Sequence, residues 1–434
     1  MATRAARVPH GEVFTRRWVV ELMLDLAGYT TDKDLTAERV VEPSVGSGAF
    51  VGPILDRLIA SRAAHFPDAD WSDLTDCLRA WDLQADHVDT CRKLAVQALI
   101  DAGCPPGIAD SLAVRWLHAG DFLLSQRDGY TATLVVGNPP YIRIEDLAAE
   151  LLDAYRRSCP TMGGRADIFV GFYERGLDML LKNGRLVFIC ADRWMRNDYG
   201  KALRAKVVDG FAVDTVLVMH DVDAFEAEVS AYPAITVLRN GKQSTTVTAD
   251  TAEAFGEAAA AEFLAWARSK RKAVKTTSFD AARLHTWHTT DNIWPTGSAA
   301  TLAWLDELHE RFEPLERADG LTSLKIGVAT GNDSVFVVGP RDIPDIERDR
   351  LLPIALNKDV KSGKFVWGGR YLVDPWKRTS VLIDLDRYPR AAAYLRQHEV
   401  SLQKRHTAKS GKWWKTIDAV HHNRLQLPYV VLRT

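Results

Sequence analysis

The sequence predicts an open, largely parallel α/β sheet of seven strands followed by a separate, smaller C-terminal part. Three observations carry this expectation. Short β-branched runs alternate with amphipathic stretches of about a dozen residues. A Gly-x-Gly loop follows the first run and opens a helix. Acidic or amide side chains stand at the ends of the first four runs, the end of a strand where such sheets bind ligands.

At 434 residues the chain exceeds the usual single-domain size, so two domains with ample cores are expected. Charge is balanced overall, 55 Lys/Arg against 57 Asp/Glu, but unevenly spread. Residues 321–434 carry 20 basic and 11 acidic side chains, and 1–320 carry 35 and 46. A basic part behind an acidic body fits a polyanionic partner; ordinary surface variation is the plainer alternative. The five cysteines (Cys77, Cys91, Cys104, Cys159, Cys190) form no C-x-x-C pair. That argues against a metal site and a disulfide framework and fits a reducing cytoplasm. With no long apolar run and no signal peptide, a soluble cytoplasmic protein is expected.

In chain order, Phe14-Thr15 precede a helical pattern with Val19, Leu22, Met23 and Leu26 on one face, Thr15 being a plausible N-cap. Arg39–Val41 is the first strand, ending in Glu42-Pro43-Ser44-Val45-Gly46-Ser47-Gly48-Ala49-Phe50. Glycines between a strand and a helix let a ligand approach backbone N–H groups, although the missing third glycine counts against a dinucleotide. Cys77–Asp82 reads as the second strand, its terminal carboxylate suited to ribose hydroxyls. Ala113–Leu117 reads as the third, leading to Gly120-Asp121-Phe122, where Asp121 suits an amino group on a heteroaromatic ring and Phe122 suits the ring. Any one of these carboxylates is more often a helix cap; three in succession at strand ends are harder to dismiss.

The fourth strand, Leu134–Val136, stops abruptly in Asn138-Pro139-Pro140-Tyr141. Prolines lack N–H groups, so this turn is stiff and holds the Asn138 amide and nearby carbonyls as fixed acceptors. Tyr141 adds a flat π face. Acceptors beside a stacking ring suit an exocyclic amine on a base. A helix from about Ile168, stopped by Asn183-Gly184, and strands at 185–190, 213–219 and 234–238 complete the sheet. Residues 250–272 read as a polar helix and 276–298 as a loop, with another helix at 299–312. Short β-like pieces follow at 324–328, 334–338 and 370–373. Lys404, Arg405, Lys409 and Lys412 interleave with Trp413 and Trp414 without an acid, which suits phosphates and bases as well as it suits a solvated loop.

Taken together, Phe14-Thr15, the Glu42–Phe50 loop, Asp82, Asp121-Phe122 and Asn138–Tyr141 resemble the amino-methylating DNA methyltransferases. The chain looks most like the adenine-N6 branch, restriction–modification methylases of the TaqI and Eco57I type. Gly327–Asp333 and Leu352–Asp359 resemble the start of that family's target-recognition domain. The resemblance implies a Rossmann-like, seven-stranded S-adenosylmethionine-dependent methyltransferase sheet followed by a mixed α+β target-recognition domain. It implies boundaries of 1–245 for the catalytic domain, 246–320 for a helical/loop connector, and 321–434 for a recognition domain that is short or truncated.

By the same resemblance Thr15, Glu42, Pro43, Gly46, Gly48, Phe50, Asp82, Asp121 and Phe122 hold S-adenosylmethionine. Asn138, Pro139, Pro140 and Tyr141 form the catalytic turn on a flipped adenine, and Lys404, Arg405, Lys409, Lys412 and Trp413 meet double-stranded DNA. A cognate restriction endonuclease or other defence-system subunit and a nucleoid-associated location are expected with it. Arg16 stands where the family usually has proline, which predicts a looser entry turn. A second aromatic against the flipped base is expected downstream, with Phe255, Trp266, Trp287 and Trp294 as candidates. The rival readings are methylation of another planar amine (an RNA base, cytosine N4 or a release-factor glutamine) and a catalytically silent DNA-binding subunit.

Overall fold

The computed structural model describes residues 14–126, 129–142, 144–226, 232–285, 287–313, 327–339, 343, 345–361, 364–405, 407–408 and 411–422. The chain divides into two compact units, Met1–Phe312 and Glu313–Thr434.

The strands of the first unit are β1 (Val40–Glu42), β2 (Leu78–Asp82), β3 (Leu117–Ala119), β4 (Ala132–Gly137), β5 (Leu180–Ala191), β6 (Phe211–Val218), β7 (Pro233–Asn240), β8 (Thr246–Thr251), β9 (Ala273–Lys275) and β10 (Phe279–Leu284). Its helices are α1 (Arg17–Ala27), α2 (Val51–His65), α3 (Ala85–Asp101), α4 (Pro106–Trp116), α5 (Ala149–Ser158), α6 (Phe169–Met179), α7 (Arg193–Arg196), α8 (Lys201–Gly210), α9 (Glu257–Arg268) and α10 (Ala299–Arg311). Among the described residues the strands form one sheet in the order β3-β2-β1-β4-β5-β7-β6-β8-β10-β9. Neighbours from β3 to β5 are parallel, and β7 runs antiparallel to both β5 and β6. The order reverses between β1 and β4, so the loops leaving these two strands diverge to opposite faces and open a crevice.

The continuous apolar runs are explained by burial on both faces. Val40, Leu134, Val136, Val187 and Ile189 face a core built with α1 to α4 and α9. Val41, Val135, Leu186 and Phe188 face a second core with α5, α6 and α8. Helix α6 lies so close to the sheet that a Cβ at Gly176 would stand 2.6 Å from Leu186 Cδ1 and 3.2 Å from Val135 Cγ1.

The seven strands β3 to β6 in this order are the expected sheet, but the sheet does not stop there. The stretch 246–320, expected as a helical/loop connector, supplies β8, β9 and β10, and β8 pairs in parallel with β6. Threonines disguised this strand: Thr246, Thr248 and Thr251 are buried, and the hydroxyls of Thr246 and Thr251 donate to Val213 O and Val218 O, each at 2.7 Å. A polar spelling thus hides a core strand whose hydroxyls are satisfied locally.

Three smaller expectations are corrected. Ala113–Trp116 belong to α4, whose first turn begins at Pro106, and β3 starts only at Leu117. The helix before β5 ends at Met179, and Asn183 (φ +67°) and Gly184 form an irregularity inside β5, where Gly184 approaches the Ala132 and Leu181 carbonyls. Arg16, not Thr15, occupies the N-cap of α1.

The second unit holds a three-stranded sheet of Val337–Val338, Tyr371–Val373 and Leu351–Pro353, a hairpin of Val360–Lys361 with Lys364–Phe365, and the helices Pro389–Gln397 and Glu399–Gln403 around their own core. Ser334–Phe336, expected as part of a strand at 334–338, lie instead in the helical turn Asp333–Phe336 ahead of Val337. The β-like piece expected at 324–328 lies outside the described residues up to 326.

Gly176→Leu would drive a side chain into the two strands beneath α6 and should lower stability by about 1–3 kcal/mol. Chemical denaturation of the variant checks this.

Candidate active site

Register brings the two candidate loops together. Val41 pairs with Val135 across β1 and β4, so Glu42 stands level with Val136 and both loops leave the sheet side by side. Gly137 permits the approach: a Cβ there would lie 3.3 Å from Pro43 Cδ. One residue further, Ser44 Oγ donates to the Asn138 carbonyl at 3.1 Å and ties loop to loop. Ser44 was missed by sequence reasoning because a lone serine in a glycine-rich loop carries no distinguishing pattern.

The glycine loop is held from the neighbouring strand. Gly46 and Gly48 both take positive φ, +50° and +95°, which L side chains adopt at a cost. Gly46 N donates to Asp82 Oδ2 at 2.8 Å, and Gln84 N donates to Asp82 Oδ1 at 2.9 Å, with His87 Nδ1 3.4 Å from Oδ1. Asp82 therefore shapes the loop and the start of α3 with its own carboxylate. Phe50 is buried at the head of α2.

Asp121 is likewise engaged. Its Oδ1 accepts from Leu123 N at 2.9 Å, and its Oδ2 accepts from Tyr155 Oη at 2.7 Å. Tyr155 lies on α5 and was not a candidate. Phe122 is buried between Trp81 (5.5 Å, edge-on) and Phe172 (5.5 Å, stacked), so it presents little ring to a ligand. A carboxylate offers about four acceptor positions, so both aspartates keep capacity for further donors.

Glu42 differs from both. It is fully buried at the end of β1, and neither carboxylate oxygen has a hydrogen-bond partner among the described residues. Burial, and then the nearby Asp82 carboxylate, hold its carboxyl well above the ordinary carboxylate range. An unpartnered buried acid is costly, and such costs persist where a ligand repays them.

On the other side of the crevice the chain's beginning clasps a late loop. Thr15 bridges Phe225, Arg16 N donates to Ala224 O at 3.1 Å, and Glu226 N donates to Phe14 O at 2.9 Å. The Arg16 guanidinium also pairs with Asp223 at 2.6 Å. The entry turn is thus fastened, not loosened, by Arg16, since a proline would lack the N–H that bonds Ala224. The clasp sets Thr15 Oγ1 3.2 Å from Asn138 Nδ2, which donates to it and so orients the Asn138 amide. Pro139 is buried and Pro140 half-buried behind it.

Tyr141 is half-buried, its hydroxyl donating weakly to Ile189 O at 3.4 Å, and burial pushes the phenol well above its usual pKa, so the ring stays neutral. The aromatic beside it is Phe225, edge-on at 6.4 Å. None of the four sequence candidates comes here. Phe255 and Trp266 belong to the core under α1 and α9, and Trp287 and Trp294 pack on the opposite face with Trp194. The sequence offered no signal that singles out Phe225, one of two Phe/Tyr residues, with Tyr232, between β6 and β7.

In the second unit Lys404 and Lys412 are exposed, and Lys412 Nζ lies 5.2 Å from the Trp414 ring. Trp413 is half-buried against the core. Arg405 does not present its charge: it donates to the carbonyls of Leu402, Thr330, Trp413 and Lys415 and braces the segment. Lys409 lies outside the described residues.

Residues 118–225 match the family model described as Eco57I restriction-modification methylase. Over 97% of its length the chain is 36% identical to the type II methyltransferase M.XhoI of Xanthomonas vasicola, covering 77% of that protein. It is 38% identical over 97% of its length to the type II methyltransferase M.PaeR7I of Pseudomonas aeruginosa, covering 72% of it. Among solved structures, a nuclease-deletion mutant of the type ISP restriction-modification enzyme LlaGI, in complex with a DNA substrate mimic, aligns at a TM-score of 0.50. That alignment has 14% identity and spans 75% of this chain and 30% of that one.

Because the Glu42 carboxyl has a raised pKa in the fold, the fold is spared its charge below the ordinary carboxylate range and loses stability as pH rises toward the folded value. Glu42→Gln, free of ligand, should therefore melt above the parent at about pH 8, with the gap closing toward about pH 4. Calorimetric scans at the two pH values check this, and a gap independent of pH refutes it.

Proposed function

The chain belongs to the type II methyltransferases of restriction–modification systems, and from that premise we propose that it methylates the N6 amino group of an adenine extruded from duplex DNA, using S-adenosylmethionine. The observation that carries the reading is the switch-point crevice. There an unpartnered buried carboxylate, Glu42, and the acceptor turn Asn138–Tyr141 are tied together through Ser44.

The residues present fit S-adenosylmethionine. Glu42 supplies a buried, unpartnered carboxyl that would accept from a ligand's donor groups and that a cationic ligand would help to ionise, and the Gly46–Gly48 loop lets the backbone approach the ligand closely. Asp82 and Asp121 retain acceptor positions for hydroxyl and amino groups. When bound, the cofactor supplies a methyl group on an electrophilic sulfonium.

The rest is the work of the chain. An aromatic amine is a poor nucleophile because its lone pair is delocalised into the ring. Asn138, its amide oriented by Thr15, and the Pro139 carbonyl accept the two amine hydrogens, favour a pyramidal nitrogen and aim its lone pair. The prolines keep these acceptors in place at no cost of reorganisation. Half-buried Tyr141 offers its ring to the base, offsetting part of the few kcal/mol that unstacking costs, and buried Phe225 packs edge-on against that ring. As the N–C bond forms the amine nitrogen becomes cationic and acidic, and its extra proton then leaves to solvent; the Asn138 amide and the Pro139 carbonyl accept hydrogen bonds throughout and are not themselves protonated.

The second unit, 313–434, is assigned the reading of the target sequence, with exposed Lys404 and Lys412 on phosphates and Trp413 beside them. Methylation would protect the site from a cognate endonuclease, in a restriction–modification or phage-defence role. No helix among the described residues is long and apolar enough to cross a membrane.

Incubation with labelled S-adenosylmethionine and unmethylated duplex DNA, followed by mass spectrometry of the nucleosides, should yield N6-methyladenine; N4-methylcytosine, or label in RNA or protein alone, refutes the assignment. Asn138→Ala should lower turnover by about 10²-fold or more while retaining cofactor binding in calorimetry. Thr15→Val, which removes the acceptor that orients the amide, should lower kcat by about 10- to 100-fold; unchanged kcat would discard the orienting contact.

A further inference from the structure

Beyond the catalytic turn the ligand-facing edge of the sheet continues onto β5 and β7, and a second group of side chains converges there that methyl transfer at Asn138 does not use. Register locates it. Gly137 is level with Phe188, and Ala191, three residues further along β5, pairs with Pro233 of β7. Tyr232 precedes Pro233, so it rises from the same edge, two strand spacings (about 10 Å) across from β4.

Tyr232 is 50% exposed, and its carbonyl accepts from Asp192 N at 3.0 Å. Three basic side chains surround its ring. His220 meets it edge-on at 5.1 Å, and the guanidiniums of Arg193 and Arg196 lie 5.6 and 6.0 Å from its centroid. Two of the three are braced by one fully buried carboxylate, Asp192. Its Oδ1 accepts from Arg196 Nη2 at 2.5 Å, and its Oδ2 meets His220 Nε2 at 2.9 Å and Thr296 Oγ1 at 3.0 Å. Arg193 is exposed and has no carboxylate at ion-pair distance among the described residues. The network thus leaves the half-exposed Tyr232 ring and the exposed Arg193 guanidinium side by side at the ligand-facing edge of the sheet.

We propose that Tyr232 and Arg193 form a second DNA contact on the rim of the catalytic crevice. The ring stacks on a base adjoining the extruded nucleotide, and the guanidinium pairs with a backbone phosphate. A planar ring under positive charge fits a base with its phosphate. The Asp192 network holds this platform at a fixed offset from Asn138, so the contact would position the duplex as the target base leaves it. The inference rests on DNA being the substrate.

The test uses the full chain, tritiated S-adenosylmethionine and unmethylated bacteriophage DNA. Tyr232→Ala should raise KM for DNA by about tenfold or more, Tyr232→Phe should restore it, and cofactor affinity should be retained in both. Arg193→Ala should reduce the slope of log KM against log salt by about one. Intact cofactor binding certifies that each variant is folded. Tyr232→Ala with an unchanged KM, or Tyr232→Phe as impaired as Tyr232→Ala, overturns the stacking role, and an unchanged salt slope overturns the phosphate role. Failure of the unaltered chain to label DNA would instead overturn the proposed function. In that case gel-shift affinities of the same variants for the same DNA still decide the rim contact, a loss on Tyr232→Ala supporting it and equal affinity overturning it.

Discussion

The site depends on the parallel pairing of β1 with β4. Val41 opposite Val135 decides that Glu42 stands level with Val136 and that Ser44 meets Asn138, and the reversal of strand order at that pair decides that the space between their loops stays open. A slip of one residue would exchange the two faces of the strand and send Val40 and Val41 into each other's cores. Burial on both sides forbids the slip, because each face has its own hydrophobic layer. The contacts that finish the crevice, Ser44 to Asn138 and Gly137 against Pro43, are short-range consequences of that register.

The electrostatics follow the same geometry. Asp82 and Asp121 lie near the strand ends, where backbone N–H groups at a helix start or a tight turn are available, and they accept from those groups. Glu42 closes β1 as Asp82 closes β2, yet it is fully buried and neither of its oxygens meets a donor among the described residues. Three carboxylates that look alike in the sequence thus divide into two that organise the protein and one left without a partner.

Most of the sheet could be read from the chain because apolar runs bounded by glycine, proline and acids are a local signal. The tetrapeptide and the glycine loop were legible for the same reason. What escaped depends on distant partners. Residues 246–251 spell a polar segment, and only their pairing with β6 makes them a core strand. Ala113–Trp116 are apolar enough for a strand, yet the helix begun by Pro106 runs through them. Phe225 beside Tyr141, Tyr155 under Asp121 and the bracing role of Arg405 are likewise contacts between residues far apart in sequence. The basic run 404–415 shows the limit of composition, since exposed lysines and a carbonyl-bound arginine are spelled alike.

The clasp between the first helix and the loop after β6 also bears on the order in which the molecule assembles. Arg16 and Asp223 are 207 residues apart, and the same clasp carries Thr15 to Asn138 and Phe225 to Tyr141. Closing so long a loop is slow and waits on the elements between. On the ribosome the Asn138–Tyr141 turn is synthesised well before residues 223–225 that complete its surroundings. The crevice matures only when the chain past residue 225 returns to meet its own beginning, so a nascent fragment holding the tetrapeptide alone is structurally silent.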